Sequence, residues 1–242
     1  MFKATVITLY PEAFPGVLNV SILARAQREG LWALDTVQLR DFGLGKHKKV
    51  DDTPAGGGAG LVLRADVAGA AIDSVAREGR PLIYPSPRGK PFTQARAHAL
   101  ASGPGMIVLC GRFEGLDQRI IEARGLEEVS LGDFVLAGGE VAAQAMIEAS
   151  VRLLPGVAGN AQSLEDESFE NGLLEYPLYT KPSEFEGREI PPVLLSGDHQ
   201  AVDAWRLNRS KELTQALRPD LWAAYTPNGT KIPASETDDE CD

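Results

Sequence analysis

The chain has 242 residues, 43% of them hydrophobic and 24% charged, with a formal net charge of −10. That is enough apolar material for one large domain, or for a main domain with a smaller companion, and no apolar run approaches the roughly 18 residues of a membrane span. Cys110 and Cys241 are the only cysteines, so a disulfide framework is not expected and a cytoplasmic location is. The first residues run straight into strand-like sequence without the layout of a secretory leader.

The charge is unevenly spread. Half of it sits in residues 235–242, where Glu236, Asp238, Asp239, Glu240 and Asp242 have no basic neighbour; this stretch reads as a disordered acidic tail. Lys46, Lys48 and Lys49 cluster in one segment, and Arg206, Arg209, Lys211 and Arg218 gather near the other end. Local potential rather than the net sum decides whether a polyanion binds.

In chain order, residues 2–9 read as a strand, 14–28 as a helix and 34–39 as a strand. A flexible glycine loop at 56–60 precedes a helix at 65–77. Then come a short strand at 81–84, a helix at 93–101, a strand at 106–109, a helix at 116–123, a strand at 127–131 and a long helix at 140–154. This alternation predicts an α/β fold, a parallel sheet with helices on both faces. Ligands of such sheets lie outside the carboxyl ends of the strands. The pattern breaks at Pro155-Gly156. The domain reading is therefore 1–158 for the main domain and 159–172 for a polar, acidic linker. A small, mostly helical second domain follows at 173–234, with helical sequence at 200–209 and 213–217, and the tail closes the chain at 235–242.

Two glycine-rich runs stand at predicted strand ends: Leu109-Cys110-Gly111-Arg112-Phe113-Glu114-Gly115, and Ser130-Leu131-Gly132-Asp133-Phe134-Val135-Leu136-Ala137-Gly138-Gly139-Glu140. Turns of this composition let a ligand lie against the backbone. Several chemistries are absent. No Gly-x-Gly-x-x-Gly follows a strand, neither Gly45-Lys46 nor Gly89-Lys90 completes a P-loop, and there is no Gly-x-Ser-x-Gly. His47, His98 and His199 are far apart in sequence, so no metal site is expected from the protein alone. What remains is a ligand held by backbone groups with carboxylates and arginines nearby. That suits a reaction in which a cofactor supplies the electrophile and the protein supplies position.

Those two runs, together with Val50-Asp51-Asp52-Thr53-Pro54-Ala55-Gly56-Gly57-Gly58-Ala59-Gly60, closely resemble the bacterial tRNA (guanine-N1)-methyltransferases. Later segments add to the resemblance: Arg152-Leu153-Leu154-Pro155-Gly156-Val157, Gly172-Leu173-Leu174-Glu175-Tyr176-Pro177, Tyr179-Thr180-Lys181-Pro182, and Pro191-Pro192-Val193-Leu194-Leu195-Ser196-Gly197-Asp198-His199. The match runs in order from residue 2 to about 221. It implies transfer of the methyl group of S-adenosylmethionine to N1 of the guanosine immediately 3′ of the anticodon, by a homodimer with its active site between subunits. It also implies a trefoil knot in the C-terminal part of the main domain, which periodicity cannot show and base rates disfavour.

By the same resemblance the cofactor is held by Tyr84, Pro85, Ser86 and Pro87, by Gly111 and Glu114, and by Leu131, Gly132, Asp133, Phe134, Val135, Leu136, Gly138 and Gly139. The acceptor nitrogen carries a proton, so a carboxylate base is needed, with an arginine to stabilise charge growing on O6. The family motif assigns these roles to Arg152 and to the acidic residue before Ser168-Phe169. Here that residue is Glu167, one methylene longer than the usual aspartate, with Asp166 as the alternative if the segment shifts by one. The second domain is implied to bind tRNA; His199, Arg206 and Arg209 within it, and Lys46, Lys48 and Lys49 of the main domain, are the candidate phosphate or RNA contacts. Magnesium is implied as a possible aid. A methyltransferase acting on ribosomal RNA or a ribose hydroxyl, an RNA-binding protein without turnover, and a nucleotide-dependent oxidoreductase are the competing readings.

Overall fold

The computed structural model describes residues 1–159, 164 and 166–226. The chain divides into two compact units, Met1–Gly159 and Asn160–Asp242.

The first unit is built on β1 (Phe2–Thr8), followed by α1 (Ser21–Arg28) and β2 (Trp32–Gln38). A short hairpin, β3 (Asp51–Asp52) with β4 (Val62–Leu63), precedes α2 (Ala65–Asp73). Then come β5 (Leu82–Pro91), α3 (Gln94–Ala101), β6 (Gly105–Leu109), α4 (Gln118–Arg124), β7 (Glu127–Ser130) and α5 (Glu140–Val151). Five strands form one sheet in the order β2-β1-β6-β5-β7, and every neighbouring pair is parallel.

Alternation along the strands sends successive side chains to opposite faces. Met106, Val108 and Cys110 join Phe2, Ala4 and Val6 on one face, under Leu23 and Ala26 of α1 and Met146 and Ile147 of α5. Ile107 and Leu109 join Ile7, Leu82 and Tyr84 on the other, under Val67 and Ala71 of α2 and Ile120 and Ile121 of α4. Each such fully buried aliphatic side chain contributes roughly 1.5–3 kcal/mol. Two apolar layers therefore fix the sheet edge-on, with its carboxyl ends free to carry loops.

The second unit contains a two-residue hairpin, β8 (Glu184–Phe185) with β9 (Arg188–Glu189), and a helix over His199–Leu217 followed by Pro219–Ala224. Asp198 starts the long helix by accepting the Ala201 amide at 3.1 Å, as an N-cap does. Thr214, fully buried in that helix, donates its hydroxyl to the Ser210 carbonyl at 2.6 Å and accepts the Leu174 amide at 2.8 Å.

The parallel sheet with covered faces agrees with the sequence reading; several boundaries do not. The helix expected at 14–28 begins only at Ser21, because Pro15-Gly16 opens a 3-10 turn over Gly16–Asn19 and Ser21 itself takes a φ of 52°. The strand expected to stop at 84 continues through Pro91: Pro85 and Lys90 both stand opposite Val129, so the residues between them are extruded as a bulge. The helix expected at 65–77 ends at Asp73, and that expected at 140–154 ends at Val151, leaving Arg152 as its C-cap. The two helical stretches expected at 200–209 and 213–217 are one helix, since Ser210 and Thr214 carry the face packed beneath it. Neither two-residue hairpin was expected, being too short to show a period. Most of the predicted linker's first half, and the acidic tail with Cys241, lie outside the described residues.

Candidate active site

The bulged middle of β5, the loops after β6 and β7 and the start of α5 enclose a cleft of about 240 Å³, lined by residues 84–87, 111–115, 129–132 and 134–139 with Ala142. Every residue that the resemblance assigns to the cofactor lies on this lining except Asp133, which is exposed. Tyr84 is buried, and burial pushes its hydroxyl above the ordinary range, so it stays protonated. Ser86, in the bulge, is also buried. Phe134, Val135 and Leu136 form an apolar lip, with Val135 83% exposed.

Two glycines allow the loops to close on one another. A Cβ on Gly139 would lie 2.9 Å from the Cys110 Cα, and one on Gly138 would lie 2.3 Å from Arg112 Nε and 2.6 Å from Glu140 Oε2. A side chain at Gly139 would meet main chain and force the two loops apart, and one at Gly138 would displace the Arg112 side chain. The third glycine segment, 56–60, reaches the same region through its exit: the Glu114 amide donates to the Leu61 carbonyl at 2.9 Å, and the Leu63 amide to Gly115 at 2.9 Å.

Polar residues behind the loops were not singled out by the sequence reading. Glu140, the first residue of α5, is 4% exposed. Its Oε1 accepts the Thr8 hydroxyl at 2.7 Å and Arg112 Nε at 3.2 Å, while its Oε2 lies 2.8 Å from Arg112 Nη2 without a hydrogen-bonding angle. The Arg112 guanidinium stands 4.4 Å from the centre of the Tyr10 ring. An acidic residue directly after Gly138-Gly139, at a helix start, was the signal available in the sequence. Nothing local indicated that its partner was Arg112. Cys110 is fully buried behind the same loop, and burial, helped by the Glu140 charge, pushes its thiol well above the usual thiol range.

Arg152 caps α5, its amide donating to the Glu148 carbonyl at 3.0 Å. In the second unit, Asp166 and Glu167 line a separate cleft of about 210 Å³ with Tyr176, Asp203, Arg206 and Ser210. The Arg206 guanidinium lies 4.9 Å from the Tyr176 ring centre. The segment bearing the carboxylates is braced by the Glu175 amide on Ser168 Oγ at 2.9 Å and the Phe169 amide on the Leu173 carbonyl at 2.8 Å.

The basic candidates stay at the surface. Lys46 is exposed, Lys48 pairs with Asp41 at 2.8 Å and Lys49 with Asp52 at 2.9 Å. His199 is exposed at the start of its helix, and Arg209 pairs with Glu212. Among the described residues, no cluster of three or more His, Cys, Asp or Glu side chains could hold a metal ion, and no helix is long and apolar enough to cross a membrane.

Residues 2–224 match the sequence model of the family described as tRNA (Guanine-1)-methyltransferase TrmD. The chain belongs to that family. A tRNA (guanine-N(1)-)-methyltransferase of Brucella ovis is 59% identical over 231 residues, 96% of this chain and 95% of the relative. Those of Brucella melitensis biotype 1 and Brucella suis strain ATCC 23445 are 59% identical over the same length, covering 95% and 94% of the relatives. The resemblance read from the glycine runs was to this tRNA (guanine-1)-methyltransferase family, whose reaction is methylation of guanine N1 in tRNA.

Proposed function

We propose that the chain methylates N1 of the guanosine immediately 3′ of the anticodon (position 37), using S-adenosylmethionine held in the cleft between the β5 bulge and the loops after β6 and β7. The observation that carries this reading is the convergence of residues 84–87, 111–115, 131–132 and 134–139 on one cleft. The fit is favourable: the apolar lip of Phe134, Val135 and Leu136 suits a purine face, and the glycine-bounded backbone suits the polar remainder. When bound, the cofactor supplies a methyl group already activated by its positive sulfonium, so no protein nucleophile is required.

The chain's own residues have two tasks in this scheme. Glu167 accepts the N1 proton of guanine as its lone pair becomes available, a general-base role. Arg152 stabilises the negative charge that builds on O6. Asp166 neighbours Glu167 in the same cleft and is the alternative base. The active form is proposed as a cytoplasmic homodimer with the reacting centre between subunits, and the loops around the cofactor as the crossing of a trefoil knot. Residues 173–234 form the proposed tRNA-binding domain, with Lys46, Lys48, Lys49, His199, Arg206 and Arg209 as RNA contacts and magnesium as an aid supplied from solution.

The deciding experiment transfers label from S-adenosylmethionine to two tRNA transcripts, one with guanosine 3′ of the anticodon and one with adenosine there. Label on the first alone, mapped to base N1, supports the proposal. Cofactor binding with label on neither transcript would move the substrate elsewhere, towards ribosomal RNA or binding without turnover.

A further inference from the structure

Arg112 lines the cleft, yet its charge is spent inward. It donates from Nε to Glu140 Oε1 at 3.2 Å and from Nη1 to the Ala137 carbonyl at 3.4 Å, and its Nη2 lies 2.8 Å from Glu140 Oε2. One side chain therefore ties the loop after β6 both to the 131–139 loop and to the first turn of α5. Behind it the Tyr10 amide donates to Thr8 Oγ1 at 3.0 Å, and that hydroxyl donates to Glu140 at 2.7 Å, so the end of β1 is tied in as well. A partly buried ion pair is a weak way to gain stability, because desolvation of the buried Glu140 offsets much of the attraction. It is an effective way to set a distance, because the guanidinium fork bonds through several nitrogens at once.

We propose that Arg112 is a positioning residue for the cofactor cleft, acting through Glu140 to set the spacing between the 111–115 and 134–139 loops. This inference rests on the reading that the cleft holds S-adenosylmethionine. Gly138 is part of the device, since a Cβ there would occupy the place of Arg112 Nε. Lysine cannot match the arginine, because its three donors radiate from one nitrogen, whereas the planar guanidinium reaches Glu140 and Ala137 from three separate nitrogens.

The test is calorimetric binding of S-adenosylhomocysteine to the full chain and to Arg112→Lys, Glu140→Gln and the double variant, with steady-state kinetics alongside. Each single variant is expected to weaken binding at least about tenfold, with KM for S-adenosylmethionine rising by a larger factor than kcat falls. The double variant is expected to be no weaker than the worse single one, since both remove the same link. Thr8→Val, which takes the hydroxyl from Glu140 without touching the cleft, should weaken binding about threefold, and it carries the test if a charge variant does not fold. Folded variants that bind within twofold of the parent, or losses that multiply in the double variant, would overturn the inference alone. A parent chain that does not bind S-adenosylhomocysteine would overturn the cofactor reading and this inference with it.

Discussion

The Gly139 amide donates to the Gly111 carbonyl at 3.0 Å, joining the two glycine-rich loops by a backbone bond that leaves no room for a side chain. The nearest obstacle is the Cys110 main chain rather than a movable side chain. Gly139→Ala should therefore cost about 1–3 kcal/mol, as overpacking does, and should abolish detectable S-adenosylhomocysteine binding. Urea unfolding and calorimetry measure the two effects. Parental stability with parental affinity would show that the loops open freely.

Glu167 and Asp166 share one cleft but not one role in the scheme above. Glu167→Gln should lower single-turnover methyl transfer by about 10²–10⁴-fold, the usual size of a lost general base. Cofactor affinity should stay near parental. Asp166→Asn should change the rate only a few-fold, and the reverse ranking would transfer the base role to Asp166.

Arg152 caps α5 through its backbone, so its side chain is not needed to end the helix. If it only favoured the helix dipole, Arg152→Ala would cost a few tenths to about 1 kcal/mol and leave the rate alone. The expected result is the opposite: a rate at least about 100-fold lower with a melting temperature within a few degrees of the parent.

Thr214 holds the segment that carries both carboxylates, by accepting the Leu174 amide. Thr214→Val keeps the shape but leaves that partly buried amide without its acceptor, which should cost about 1 kcal/mol. Thr214→Ser should retain most of the stability and the rate. Chemical denaturation of both variants tests the point, and equal losses would assign the effect to the missing methyl.

Cys110 is fully buried with its thiol pushed well above the usual range. The folded chain holds this proton more tightly than the unfolded one. Its contribution to stability is therefore fully present below a thiol's ordinary pKa of about 8.5 and is lost as pH rises from there through the higher pKa of the folded state. At pH 8 the Cys110 peptide should remain unmodified by iodoacetamide in the native protein and react on unfolding, as read by mass spectrometry. Native modification at the rate of a free thiol would contradict the burial.

Local pattern was enough to read the parallel α/β sheet and the two glycine-rich runs at its strand ends, while the individual cleft residues came from the family resemblance. Continuous apolar runs such as Met106 to Leu109 and the glycine runs after β6 and β7 are short-range signals. The backbone geometry they demand does not depend on distant residues. What stayed hidden was decided at long range. Ser86 to Gly89 form a bulge because Pro85 and Lys90 meet the same residue of β7, a register no period encodes. Glu140 becomes a buried acceptor because Thr8 and Arg112, 132 and 28 residues away, arrive at the same point. The sequence by itself determined the elements and the glycine turns. Only tertiary packing decided which charges were taken out of water, because that depends on neighbours brought together after the sheet has closed.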